Sequence, residues 1–279
     1  MMKKLTAVAL AMLSLSAVAE EAPDMGNPTE VYNYLGLSYG SEGANLKGMR
    51  ALSEDKGEYA QKTGILFEVK NIFNEKDKSP KFSGGFDMVP GVGPVPRMND
   101  EADNRSYRLR YGTINTKNGL GWSVDAVLAD HPFFGTMSVI QTGPVATIPV
   151  GDSLLIWPIL YVGGVIVEDN TEDLVMTPEQ GMAQKIQSEG VDIASTIATG
   201  MVYVKWSITD KIWMLSSYQY TKELSGKSWE DSIMEGGLQL DADVTEVSFA
   251  YQVTDKQNIR AYYSTAKDDS YWVEYNYAF

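Results

Sequence analysis

The chain has 279 residues, with 23 basic and 37 acidic side chains for a formal net charge of −14, no cysteine and a single histidine. That length suits one large domain or two ordinary ones. Without cysteine there is no disulfide framework, Cys-ligated zinc site or thiol chemistry, and one histidine leaves at most one His-dependent acid–base site. The acidic balance provides no basic face able to release phosphate counterions, so nucleic acid is not an expected partner. No cofactor or metal site is expected either.

At the N-terminus, Lys3 and Lys4 precede an apolar run over residues 5–15, and Ala17-Val18-Ala19 has the small-residue spacing of a secretory cleavage site. The apolar run is too short to cross a bilayer as a helix. Residues 1–19 are therefore expected to be a signal peptide, with Ala17 and Ala19 before the cut and Glu20 after it. Residues 20–30 then form a periplasmic segment and 31–279 the folded body. No later stretch has the unbroken apolar length of a membrane helix.

The body reads as a ladder of alternating apolar and polar residues: 31–39, 64–72, 81–89, 106–114, 120–128, 139–148, 155–165, 194–206, 212–220, 242–253, 259–265 and 271–279. Period two gives an extended strand one apolar and one polar face. Most segments are near the length of a tilted transmembrane strand. Backbone groups in hydrocarbon all need partners, so such strands must close on one another. The expectation is all-β: a closed antiparallel up-and-down transmembrane β-barrel of about twelve strands, with ten or fourteen also compatible.

The last segment carries the most specific signal. Tyr271, Val273, Tyr275, Tyr277 and the final Phe279 are apolar at every second position, around Glu274 and Asn276. This aromatic-rich strand ending in Phe resembles the C-terminal assembly signal of Gram-negative outer-membrane β-barrels. The resemblance covers about nine residues and implies a cell outer membrane of a Gram-negative bacterium. It also implies the barrel assembly machinery as a partner during biogenesis, and outer-membrane lipids and lipopolysaccharide as surroundings. More broadly the chain resembles small monomeric porin-like proteins, without matching a specific family.

The connections agree with such a barrel. Lys117-Asn118-Gly119, Gly151-Asp152, Thr209-Asp210-Lys211 and Thr254-Asp255-Lys256 have hairpin-turn chemistry. They alternate with longer polar joins over 40–58, 90–105, 129–136, 168–192 and 223–241, which are expected outside the cell. Joins 73–80 and 267–270 break the alternation. Counting from the turns places Ile148 opposite Leu155, and Arg110 opposite or diagonal to Asp125. The fourth long loop, beginning Thr177-Pro178-Glu179-Gln180, reads as a short helix running to Gln187 and as the expected plug. Its acidic run, and that of Asp100, Glu101 and Asp103, read as solvated loop acids.

With apolar positions toward lipid, the lumen candidates are Glu68, Lys70, Asp87, Arg108, Arg110, Asp125, Glu246, Arg260, Tyr262 and Glu274. The sharpest cluster is Arg108, Arg110 and Asp125, readable as a transverse field or as a structural ion pair. The strand around Trp157 is apolar on both faces, so one inner wall is apolar too. Enzyme chemistry rests on His131 alone; Phe133 stands where a lipid hydrolase of the Ser–His kind has Ser. No catalytic residue is therefore expected, and a hydrolase using His131 is a remote alternative. The expected function is a passive channel for small hydrophilic solutes, against a closed barrel serving as envelope scaffold or surface-loop binding protein.

Overall fold

The computed structural model describes residues 23–27, 29–55, 57, 60–72, 80–90, 93–101, 105–131, 135–169, 172–176, 183–187, 190–226, 242–265 and 269–279. The expected signal segment, with Ala17, Ala19 and Glu20, lies outside these.

The strands are β1 (Tyr34–Gly40), β2 (Gly43–Glu54), β3 (Gln61–Ile72), β4 (Pro80–Val89), β5 (Gly93–Glu101) and β6 (Ser106–Asn115). Next come β7 (Leu120–His131), β8 (Gly135–Ala146), β9 (Ile148–Val150), β10 (Leu154–Asp169), β11 (Glu172–Met176) and β12 (Ala183–Gln187). The last are β13 (Gly190–Ser207), β14 (Ile212–Gly226), β15 (Ala242–Thr254), β16 (Gln257–Thr265) and β17 (Asp269–Ala278). Barrel neighbours run β1-β2-β3-β6-β7-β8-β10-β13-β14-β15-β16-β17 and back to β1, all antiparallel. That is a closed barrel of twelve strands. The short β9 continues β8 past a break at Thr147, in the proline-bearing hairpin where a disturbance of the ladder is expected.

The number twelve conceals two compensating corrections. Residues 43–54, expected inside a long loop, form β2 between β1 and β3. Residues 81–89, expected in the barrel wall, pair only with β5 in a separate hairpin. The outward positions of β2 include Gly48 and Arg50, which interrupt the apolar alternation. The exchange also resolves the anomalous join at 73–80, which belongs to the long connection between β3 and β6 at the loop-bearing end. The second hairpin, β11–β12, replaces the helix expected to reach Gln187, while 177–182 lie outside the described residues.

Burial separates the two faces. On β10, Trp157 and Tyr161 are 0% and 2% exposed, whereas Leu160 and Val162 are 64% and 59% exposed. Leu109, Tyr111, Trp122 and Val124 are likewise exposed, opposite in parity to buried Ser123 and Asp125. The outer wall thus presents a broad apolar surface, and Ser123, Asp125, Asn258, Glu274 and Asn276 are among the polar and charged side chains that turn inward. Tyr111 faces Val124, Leu109 faces Ala126 and Arg110 faces Asp125, so of the two arrangements compatible with the turn at 117–119 the directly opposed one is found. The hairpin at 151–153 is one residue longer than expected, so Ile148 faces Ile156 rather than Leu155. One residue of register exchanges inside for outside, and here it sends Trp157 inward.

Candidate functional site: a lumen floored by the N-terminal segment

The inner wall has two unlike sides. From β16 round to β7 it carries charge. Glu274 on β17 holds Lys47 Nζ at 2.6 Å, accepts a hydrogen bond from Asn276 Nδ2 at 2.7 Å and has Arg260 at 4.0 Å. Tyr262 OH donates to the same carboxylate at 3.4 Å and stacks on Trp272. On β3, Lys70 lies 3.8 Å from Glu68, which is opposite Lys47 on one side and Arg108 on the other. Arg108 Nε donates to Asp125 at 2.8 Å, its NH2 binds the second oxygen, and Arg110 NH2 reaches that oxygen at 3.1 Å. Asp125 is 0% exposed and sits behind both guanidiniums, whose side chains keep 24% and 21% exposure. Each triad therefore has two cations for one carboxylate.

The other side, on β8, β10 and β13, is apolar: Val145, Ile159, Tyr161 and Met201 form a buried cluster with Tyr203 packed against it. The two sides meet where the Arg110 guanidinium lies 5.9 Å from the centre of the Tyr161 ring. Between them is a cavity of about 670 Å³, lined among others by Lys47, Glu68, Lys70, Arg108, Arg110, Glu246, Arg260, Tyr262 and Glu274. Of the sequence-derived candidates, Asp125 sits behind the arginines and off the cavity lining, and Asp87 lies away from the barrel wall altogether. It falls on β4, outside the barrel sheet, and its side chain lies outside the described residues.

The floor of this cavity is the N-terminal segment. Residues 23–27 and 29–33 fold into the end of the barrel that carries the tight turns, instead of hanging below it. Asp24 accepts two hydrogen bonds from Lys205 Nζ, both at 2.6 Å. Arg260 donates to the carbonyl of Met25, whose sulfur lies 3.4 Å from both Gln252 Nε2 and Asn258 Nδ2. Trp157 Nε1 donates to Thr29 Oγ1 at 3.0 Å, and Thr29 also meets Thr147 Oγ1 at 3.0 Å. Met25 is buried with Tyr34 and Ala278, against Tyr32 and Met49. Glycines mark the closest approaches: a Cβ on Gly26 would lie 2.7 Å from Lys205 Cε, and one on Gly64 would lie 2.5 Å from Val31 Cγ1.

Among the described residues the floor is 23–27 and 29–33; the start of the fourth long loop at 177–182, to which the sequence pointed, lies outside them. The floor segment is short and polar, with no periodicity to reveal it. The signals that could have marked it are the Asp-x-Gly-Asn spacing at 24–27 and the inward parity of Lys205, which asks for a carboxylate. Lys47 was missed because β2 was missed. His131 ends β7 opposite Gly135, in a strand and not in a loop; its side chain lies outside the described residues.

No protein-family model matches the chain, and no curated protein matches it. Solved structures with a similar arrangement include the NanC porin, at 7% identity and a TM-score of 0.46 over 88% of this chain and 98% of that one. The translocator domain of the autotransporter NalP from Neisseria meningitidis has 12% identity and a TM-score of 0.43, over 99% and 94%. The TodX monoaromatic hydrocarbon channel has 9% identity and a TM-score of 0.44, over 90% and 91%.

Proposed function

We propose that the chain is an outer-membrane barrel whose lumen conducts small hydrophilic solutes when residues 23–33 leave the turn-bearing end. The apolar outer wall supports membrane insertion, since soluble proteins rarely expose so extensive an apolar surface. The short turns support a periplasmic location for the plugged end, and the long connections an extracellular one for the other. Outer-membrane lipids and lipopolysaccharide then contact the outer wall, and Phe279 serves recognition by the barrel assembly machinery.

The single observation that carries the conducting role is the cavity itself, lined by charge of both signs and floored by a segment outside the sheet. A charged, water-sized lumen costs a barrel packing that side chains would otherwise supply. The rival reading, a permanently closed scaffold, draws on the hydrogen bonds that hold the floor at Asp24, Met25 and Thr29. Planar-bilayer recording separates them. A variant lacking residues 23–30 should carry a larger, longer-lived current than the full barrel. No current from either protein would favour the scaffold.

A further inference from the structure

We propose that the cavity is a binding site for small amphipathic carboxylates, with the carboxylate at Arg108 and Arg110 and the hydrocarbon or aromatic body on the apolar side. This deepens the conducting reading and rests on it for its biological role, although binding itself needs no passage.

Three features converge on this chemistry. First, Arg108 and Arg110 share Asp125, so the cluster keeps one excess positive charge where it faces the cavity. Arg110 holds its carboxylate through a single 3.1 Å hydrogen bond from one terminal nitrogen, and its side chain keeps 21% exposure beside the cavity it lines. A planar guanidinium with donors to spare suits a second carboxylate.

Second, the neighbouring surface is the wrong partner for a wholly hydrophilic ion. Ile159, Tyr161 and Met201 border the same cavity as Arg110, and Tyr203 continues that surface. An apolar lining beside a few placed polar groups is the usual design of a small-molecule site. Third, Gly112 follows Arg110 at the next inward position and presents no side chain to the cavity it borders, while Gly64, opposite it across the β3–β6 pair, is covered by Val31.

The size also fits: about 670 Å³ lies within the range of ligand cavities and exceeds a phenyl ring with a short carboxylated tail. Glu68, opposite Arg108, has Lys70 at 3.8 Å, and Glu246 also lies within electrostatic reach of Lys70, so both carboxylates are already matched to a cation. An amine-tailed analogue would have to compete with Lys70 for either of them.

The test uses the full barrel in lipid nanodiscs and isothermal titration calorimetry with four probes: 4-phenylbutyrate, 4-phenylbutanol, 4-phenylbutylamine and acetate. The proposal expects 4-phenylbutyrate to bind at least tenfold more tightly than the other three. Arg110→Gln should weaken 4-phenylbutyrate about tenfold and leave 4-phenylbutanol unchanged. Met201→Ser should weaken both phenyl probes alike, and heat-modifiable gel migration checks that each variant is folded. Equal binding of amine and carboxylate, or binding insensitive to both substitutions, would overturn the proposal. Current without 4-phenylbutyrate binding would refute this site alone. Binding without current would refute conduction and leave the site standing.

Discussion

Replacing Asp125 with Asn tests whether the arginine cluster is held from behind by its one carboxylate. The substitution keeps the shape but removes the one carboxylate that both guanidiniums share, at a position that is 0% exposed. Breaking a buried pair by removing one partner costs roughly 3–5 kcal/mol. Lumen water reaches both arginines, whose side chains keep 24% and 21% exposure, which favours the low end, about 3 kcal/mol. With a urea slope of about 3 kcal/mol per molar, the unfolding midpoint should fall by about 1 M. The cluster also goes from one excess positive charge to two, so the reversal potential under a salt gradient should shift toward anion selectivity. Urea titration in micelles reads the first effect and bilayer recording the second. An unchanged midpoint would mean that the carboxylate does not hold the arginines, and an unchanged reversal potential would remove the cluster from the conduction path.

Two further outcomes concern the floor. Gly26→Val should release it, because the first added carbon already meets Lys205 and Trp213 below 3.0 Å; open probability in bilayers should rise while heat-modifiable folding persists, and an unchanged open probability would contradict the packing. Burial, and then the charge of Asp24, pushes the Glu30 carboxyl above the usual carboxylate range, with Lys62 and Lys205 opposing. A raised folded-state pKa means that its stabilising contribution is complete below the ordinary carboxylate pKa and is lost as pH rises through the folded value. The floor should therefore hold most firmly in acid and open more often as pH rises through that window. Glu30→Gln should flatten this dependence, and an unaltered pH profile would assign it elsewhere.

The parts of the fold legible in the sequence are those where one physical signal dominates. Strand β17 declares itself because lipid demands apolar side chains at every outward position. The 117–119 turn narrows the β6–β7 register to two arrangements, and Arg110 lands directly opposite Asp125, one of the two. Strand β2 is illegible because Gly48 and Arg50 occupy outward positions, while 81–89 alternates convincingly in a hairpin outside the wall. Alternation reports an asymmetric environment, not membership of a particular sheet. The floor escaped because its identity lies in contacts more than a hundred residues away, such as Thr29 with Trp157 and Asp24 with Lys205. Those contacts have no local period.

The proposed gating of the lumen by the N-terminal segment is directly measurable because the chain has no native cysteine. Thr29 and Thr147 have side-chain oxygens 3.0 Å apart, one on the floor and one on the wall. Cysteines at both positions lie within reach of a disulfide. Single-channel current through the Thr29→Cys/Thr147→Cys barrel should be absent under oxidising conditions and should appear on adding dithiothreitol, at the level of the two single variants. Current through the oxidised barrel equal to that through the reduced one would contradict gating by this segment.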